Sequence, residues 1–321
     1  MGGGEEWNRM FARSVRDVLE GLSLEFEQLQ EIRMRVDTPL FLWYGNREYG
    51  VTKGGQLGQA GREGLRRISE RELRETVECM GNYSLYAFED EIRQGFLTVR
   101  GGHRVGLAGK AVMENGNLKT LKYISALNVR FAHQIKGCGE KVLPFLFEEE
   151  RLCHSLLISP PRGGKTTLLR DLVRLLSDGT ETVPGRNVGV VDERGEIGAC
   201  YQGIPQNDLG ARTDVLDCCP KALGMMMLIR SMAPQVVAVD EIGSREDLEA
   251  VEYAAGCGCA VLATAHGGSL EEILGKPGLG ALVRGGLFGR LVLLGNGEQA
   301  GRVREIRDGE GRLVWNGIFD G

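Results

Sequence analysis

Apolar residues recur at helical spacing from Glu5 to Leu22, where Trp7, Phe11, Val15, Val18 and Leu22 form one stripe. The spacing predicts an amphipathic helix. Its other face mixes Glu5, Glu6, Arg9, Arg13, Arg16, Asp17 and Glu20, without the basic excess of a membrane-surface helix, so packing within its domain or against a subunit is expected. Between Glu31 and Val51 the period falls to two. Ile32 to Val36 and Leu40 to Tyr44 read as strands, broken at Asp37-Thr38-Pro39 and at Gly45-Asn46. A glycine-rich loop follows from Lys53 to Gly64. Ser69 with Glu72 three residues later is a capping box for a helix running to about Met80, and a second helix is expected around Tyr86 to Gln94. Alternation returns from Phe96 to Ala132, with turns at Gly101-Gly102 and at Glu114 to Asn117, and predicts two or three antiparallel strands.

Residues 1–137 thus read as a small α+β domain, with Gly137-Cys138-Gly139 as the joint to a second domain, 138–321. Beyond it, buried-strand patterns at Leu156 to Ser159, Val188 to Val191, Val236 to Asp240 and Ala260 to Ala265 alternate with helical stretches. That order predicts an α/β domain with a mainly parallel sheet and helices on both faces. The segments Arg290 to Leu294, Arg302 to Arg307 and Arg312 to Trp315, separated by glycine turns, read as a terminal β-meander.

Composition narrows the options little. The chain has 321 residues, 42% of them hydrophobic, enough for two cores. A net charge of −5 argues against non-specific nucleic-acid binding, so any basic surface must be local. Eight cysteines follow no repeated frame and no signal-peptide pattern precedes them, so a reducing cytosol is expected. Neither Cys218-Cys219 nor Cys257-x-Cys259 has the spacing of a structural zinc site. The longest apolar runs are strand-sized, so recruitment to a membrane, if any, is indirect.

The chemistry concentrates in four segments. In Leu156 to Arg170 a buried strand feeds the turn Pro161-Arg162-Gly163-Gly164-Lys165-Thr166-Thr167 and then a helix. Glycines let backbone N–H groups converge on phosphate oxygens, and the helix adds its N-terminal partial charge. Lys165 would bridge the β- and γ-phosphates of ATP, and the Thr166 hydroxyl would ligate Mg²⁺. Ser159 stands where the G-x-x-x-x-G-K-[ST] pattern has its first glycine. The strand that runs from Gln235 to Glu241 ends in two carboxylates, Asp240 and Glu241. Asp240 would hold magnesium through a water, and Glu241 would polarise the attacking water. These acids would equally suit the start of a helix from Arg245 capped by Ser244 and Asp247. Val190 to Glu196 is a third strand ending in acids, from which Asp192 or Glu193 would join the same network. Thr264-Ala265-His266 ends a fourth strand, with His266 as a candidate γ-phosphate sensor.

Together, the phosphate-binding turn, the Asp192-Glu193 strand end, Arg230 and Pro234 before Asp240-Glu241, and Thr264-x-His266 resemble the secretion or traffic ATPases of type II and type IV secretion and pilus motors. Ser159-Pro160-Pro161 with Gly163 to Asp171, Val191 to Ile197, and Leu127-Asn128-Val129-Arg130 are more closely similar to the stage III sporulation protein AA family. The resemblance implies a P-loop NTPase fold of RecA/AAA-like type and a cytoplasmic mother-cell ATPase. It also implies a hexameric ring, recruited to a membrane-embedded channel towards the forespore. Arginines of the first domain then reach the nucleotide, and Arg104 and Arg130 stand where such residues are expected. Asp240-Glu241 departs from the Gly-Glu of many traffic ATPases, and the tetracysteine zinc module of some type II members is absent. A nucleic-acid-handling P-loop ATPase is the alternative, opposed by the acidic charge balance.

Overall fold

The computed structural model describes residues 7–58, 64–81, 96–295 and 297–319. The backbone divides into two compact units, residues 1–133 and 134–321. The helix expected around Tyr86 to Gln94 lies outside the described residues.

The first unit contains the helices α1 (Arg13–Gly21) and α2 (Glu70–Met80) and a seven-stranded antiparallel sheet. Its strands are β1 (Leu29–Arg35), β2 (Phe41–Tyr44), β3 (Arg47–Val51), β4 (Leu57–Gly58), β5 (Phe96–Val99), β6 (His103–Glu114) and β7 (Asn117–Arg130), in the order β4-β3-β2-β1-β7-β6-β5. The single N-terminal helix read from the Trp7 to Leu22 stripe is two pieces. A 3₁₀ turn covers Trp7–Met10, and α1 starts after an extended Ala12. The Thr76 hydroxyl on α2 accepts the Ala12 amide N–H at 3.0 Å, a long-range bond that local periodicity does not reveal. α2 carries the expected capping box between Ser69 and Glu72.

The second unit is an α/β fold built on a mainly parallel sheet. After the short pair β8 (Phe147–Glu148) and β9 (Arg151–Leu152) come β10 (Ser155–Ser159), β11 (Val188–Asp192), β12 (Thr213–Asp217), β13 (Val236–Val239), β14 (Ala260–His266), β15 (Arg290–Leu294), β16 (Val303–Asp308) and β17 (Leu313–Phe319). The last eight form one sheet in the order β12-β11-β13-β14-β10-β15-β16-β17, parallel up to β15 and antiparallel beyond it. Because side chains alternate along a strand, each central strand feeds two cores. Leu157, Val190, Ala238 and Leu262 pack with α3 (Lys165–Asp178). Ile158, Val191, Val239 and Ala263 pack with α4 (Lys221–Met232) and α5 (Arg245–Gly256). Two short helices, α6 (Leu270–Gly275) and α7 (Leu279–Arg284), lead back into β15.

The glycine joint read at residues 137–139 lies within this second unit. The Gly139 N–H donates to the buried Asp171 carboxylate of α3 at 2.8 Å, and Arg174 holds that carboxylate's other oxygen, which fastens the segment to the helix.

Candidate active site

Every strand of the parallel set delivers its C-terminal end to one edge, and the order of strands decides which ends meet. β14 separates β10 from β13. Lys165 and Thr166, which follow β10, therefore meet Asp240 and Glu241, which follow β13, across the end of β14.

The turn after β10 is built by backbone geometry. Arg162 and Gly164 both have positive φ, at +61° and +88°, and the Gly163 N–H donates to the Pro160 carbonyl at 3.1 Å. A β-carbon on Gly164 would come within 2.7 Å of the Gly301 Cα, while the Gly301 N–H donates to the Gly163 carbonyl at 3.0 Å. The loop between β15 and β16 thus backs the phosphate turn. Ser159, where the pattern has glycine, is fully buried. Its hydroxyl donates to the Pro160 carbonyl at 2.8 Å and fills the space a Gly163 side chain would need. Pro161 and Arg162 are exposed on the rim, and Thr167 is half-buried in the first turn of α3.

Lys165 is buried, and its ammonium lies 2.9 Å from Glu241 Oε1. The same carboxylate oxygen lies 2.8 Å from His266 Nε2, and Oε2 lies 2.7 Å from Arg194 Nη1. Burial pushes the Glu241 carboxyl up, but Lys165, His266 and Arg194 outweigh it and hold it below the usual glutamate value. The Glu241 backbone is left-handed, with φ of +56°. The Thr166 hydroxyl donates to Asp240 Oδ2 at 2.6 Å, and the Thr264 hydroxyl donates to Asp240 Oδ1. Thr264 Oγ1 also accepts the Glu241 N–H at 2.9 Å.

The structure thus brings Lys165, Thr166, Asp240, Glu241 and His266 together. Glu193 lines the same cleft with Arg194, Glu196, Lys221, Asp240 and Glu241, and its carboxylate is paired with the Lys221 ammonium. Asp192 lines that cleft as well. It is buried, and its oxygens accept the N–H groups of Glu196, Ile197 and Gly198 at 2.7 to 3.0 Å, so it folds the loop after β11. Arg170 of α3 donates to the carbonyls of Glu196 and Ile197, tying that loop to the phosphate-turn helix.

Arg104 and Arg130 belong to the first unit, directly opposite each other on β6 and β7, with Glu31 opposite Arg130 on β1. The Arg104 guanidinium also lies 4.7 Å from the centre of the Phe96 ring. Thr264 and Arg194 are the participants that sequence reasoning gave no role. The signal for Thr264 is its place two residues before His266 on the strand between β10 and β13. For Arg194 it is a cation directly after two acids at a strand end.

The donor chemistry suits magnesium. Thr166 and Asp240 offer hard oxygens side by side, and a P-loop site needs only one or two protein oxygens because phosphates and water supply the rest. Among the described residues no helix is long and apolar enough to cross a membrane.

Comparisons with known proteins place these features in context. The family described as "Sporulation stage III, protein AA" matches residues 3–314. Stage III sporulation protein AA of Bacillus subtilis (strain 168) is 41% identical over 287 residues, which is 89% of this chain and 89% of that protein. Among solved structures, the ATPase DotB of Legionella pneumophila superposes with a TM-score of 0.54 at 17% identity, covering 88% of this chain and 76% of that chain. The pilus retraction motor PilT with bound ADP gives 0.56 at 13% identity, covering 88% and 77%. At such identities the two structures share a fold with this chain.

Proposed function

The chain belongs to the sporulation stage III protein AA family, and on that premise we propose that it is an ATP-hydrolysing motor subunit of a secretion-like transport apparatus, the channel between mother cell and forespore. The observation that carries this reading is the meeting of Lys165 with Glu241 and of Thr166 with Asp240 at the end of one parallel sheet. In it, the N–H groups from Gly164 to Thr167 and the Lys165 ammonium hold the phosphates. Glu241 orients and polarises the attacking water, His266 follows the terminal phosphate, and Glu193 keeps Lys221 at the cleft. Thr166 and Asp240 would hold Mg²⁺, Asp240 through a water. The ion, when bound, neutralises charge on the phosphate oxygens.

The finer parts of the proposal draw on the family resemblance. Copies assemble as a hexameric ring on the cytoplasmic, mother-cell side, recruited by membrane-embedded channel components, with no nucleic-acid partner. Arg104 and Arg130 serve the phosphates within that ring.

The test is ATP hydrolysis by the purified full chain. Lys165→Ala is expected to abolish turnover that depends on added magnesium. Undiminished hydrolysis in that variant rejects the site.

A further inference from the structure

Arg194 is the most exposed of the three basic side chains that the structure sets against Glu241. Its side chain is 65% exposed, against 19% for Glu241 and 7% for Lys165. The loop that carries it is anchored on both sides. Asp192 accepts the three N–H groups that follow Gly195, and Gly195 itself turns at a φ of +61°. The guanidinium is therefore a solvent-facing group on a fixed backbone, whereas Lys165 is buried and Glu241 largely so.

The contacts set a competition. Glu241 Oε1 already receives Lys165 and His266, and Oε2 receives Arg194. Three donors thus take three of the roughly four acceptor sites of that carboxylate and draw charge from it, so freeing Oε2 of Arg194 gives Glu241 more basicity and more room for an attacking water. Arg194 lies two hydrogen bonds from the Lys165 ammonium, 2.7 Å to Glu241 and 2.9 Å onward. A terminal phosphate held by Lys165 would come within reach of the guanidinium. That phosphate carries more charge than one carboxylate and matches the planar fork in two hydrogen bonds.

We infer that Arg194 is a positioning residue that holds Glu241 through Oε2 and transfers to the terminal phosphate of a bound nucleoside triphosphate. Glu241 is then released to water only when that phosphate is present. A diphosphate lacks the γ-phosphate, so the pair with Glu241 stays closed. The inference rests on the ATPase reading above and adds to it a rule for when the site becomes competent.

The experiment titrates the full chain, with magnesium, against ADP and against a non-hydrolysable ATP analogue. Arg194→Ala is expected to lower the preference for the triphosphate about tenfold while leaving ADP affinity within about twofold. Arg194→Lys, which keeps the charge but loses the fork, should lose part of that preference. Glu241→Gln removes the competitor and should tighten analogue binding, and the gain should shrink when Arg194 is alanine. An unchanged triphosphate preference in Arg194→Ala, an equal loss for both nucleotides, or a Glu241→Gln gain that ignores Arg194 overturns the inference. If the unaltered chain binds neither nucleotide, the ATPase reading fails with it. If the unaltered chain hydrolyses ATP and Arg194→Ala keeps its selectivity, only the role of Arg194 falls.

Discussion

The Thr264 hydroxyl donates to Asp240 and, through the same oxygen, accepts the backbone N–H of Glu241 at 2.9 Å. Thr264 is fully buried on the strand between β10 and β13, which lead to Lys165 and to Asp240, so one hydroxyl holds both acids. Thr264→Val keeps the shape and removes the bonds. It leaves a part-buried N–H without its partner, for a loss of about 0.5–1.5 kcal/mol, and lets Asp240 drift from Thr166. Denaturant unfolding and ATP turnover should both fall, and Thr264→Ser should restore most of each. A valine variant as stable and as active as the original would show that the bridge is incidental.

Much of this was legible in the sequence because it is local. The strand, turn and helix from Leu156 to Arg170 are continuous in the chain, and both capping boxes, at Ser69 with Glu72 and at Ser244 with Asp247, need only a spacing of three. The acidic strand ends were found because a parallel sheet sends them to one edge. What escaped depends on distant partners. Neither the bridge from Thr264 to Asp240, the Arg194 contact with Glu241, nor the approach of Gly301 to Gly164 leaves a periodic trace. Asp192 and Glu193 look alike as neighbouring acids, yet one is buried beneath three amides and the other faces Lys221. β12 went unread because it is an edge strand, paired only with β11, whose Thr213-Asp214-Val215-Leu216-Asp217 lacks an apolar run. The split of the N-terminal helix depends on a threonine far along the chain.

Glu241→Gln should separate binding from chemistry. The amide keeps the size of the side chain but is a far weaker base, so triphosphate binding persists while single-turnover cleavage slows by about 100- to 10,000-fold. Rapid-quench measurement of product in one turnover is the check. Cleavage within a few-fold of the unaltered rate would remove Glu241 from the role of water-activating residue.

Gly164→Ala should disable the phosphate turn through backbone and contact effects together. The residue has a φ of +88°, and its new β-carbon would lie 2.7 Å from the Cα of Gly301, where no flexible side chain can give way. The turn must open or the loop between β15 and β16 must retreat. Nucleotide affinity is expected to drop at least tenfold, with the melting temperature reduced. Gly286→Ala, at a φ of +75° with nothing within 4 Å of the added carbon, is the control for backbone strain alone. Equal nucleotide binding by the two variants would exclude the contact with Gly301 as the cause.

His103 gives the first unit an acid sensitivity of its own. Burial, helped by His133, pushes its imidazole down from 6.5 to about 4, and its Nδ1 accepts the Ala132 N–H, which fixes the neutral tautomer with hydrogen on Nε2. The rings of Phe26 and Phe131 lie beside it, with centres 5.7 and 5.0 Å away. Below pH 6.5 the unfolded chain takes up a proton that the folded one refuses. The unfolded state then holds more protons, so stability falls as pH drops, and the loss is complete near pH 4. A depression of this size corresponds to about 3 kcal/mol across that window. His103→Gln, whose side-chain oxygen can accept the same N–H but cannot titrate, should flatten the fall in urea resistance between pH 6.5 and 4. Parallel pH profiles for the two proteins would mean that the acid response comes from other groups, with His103 serving only the packing around Phe131.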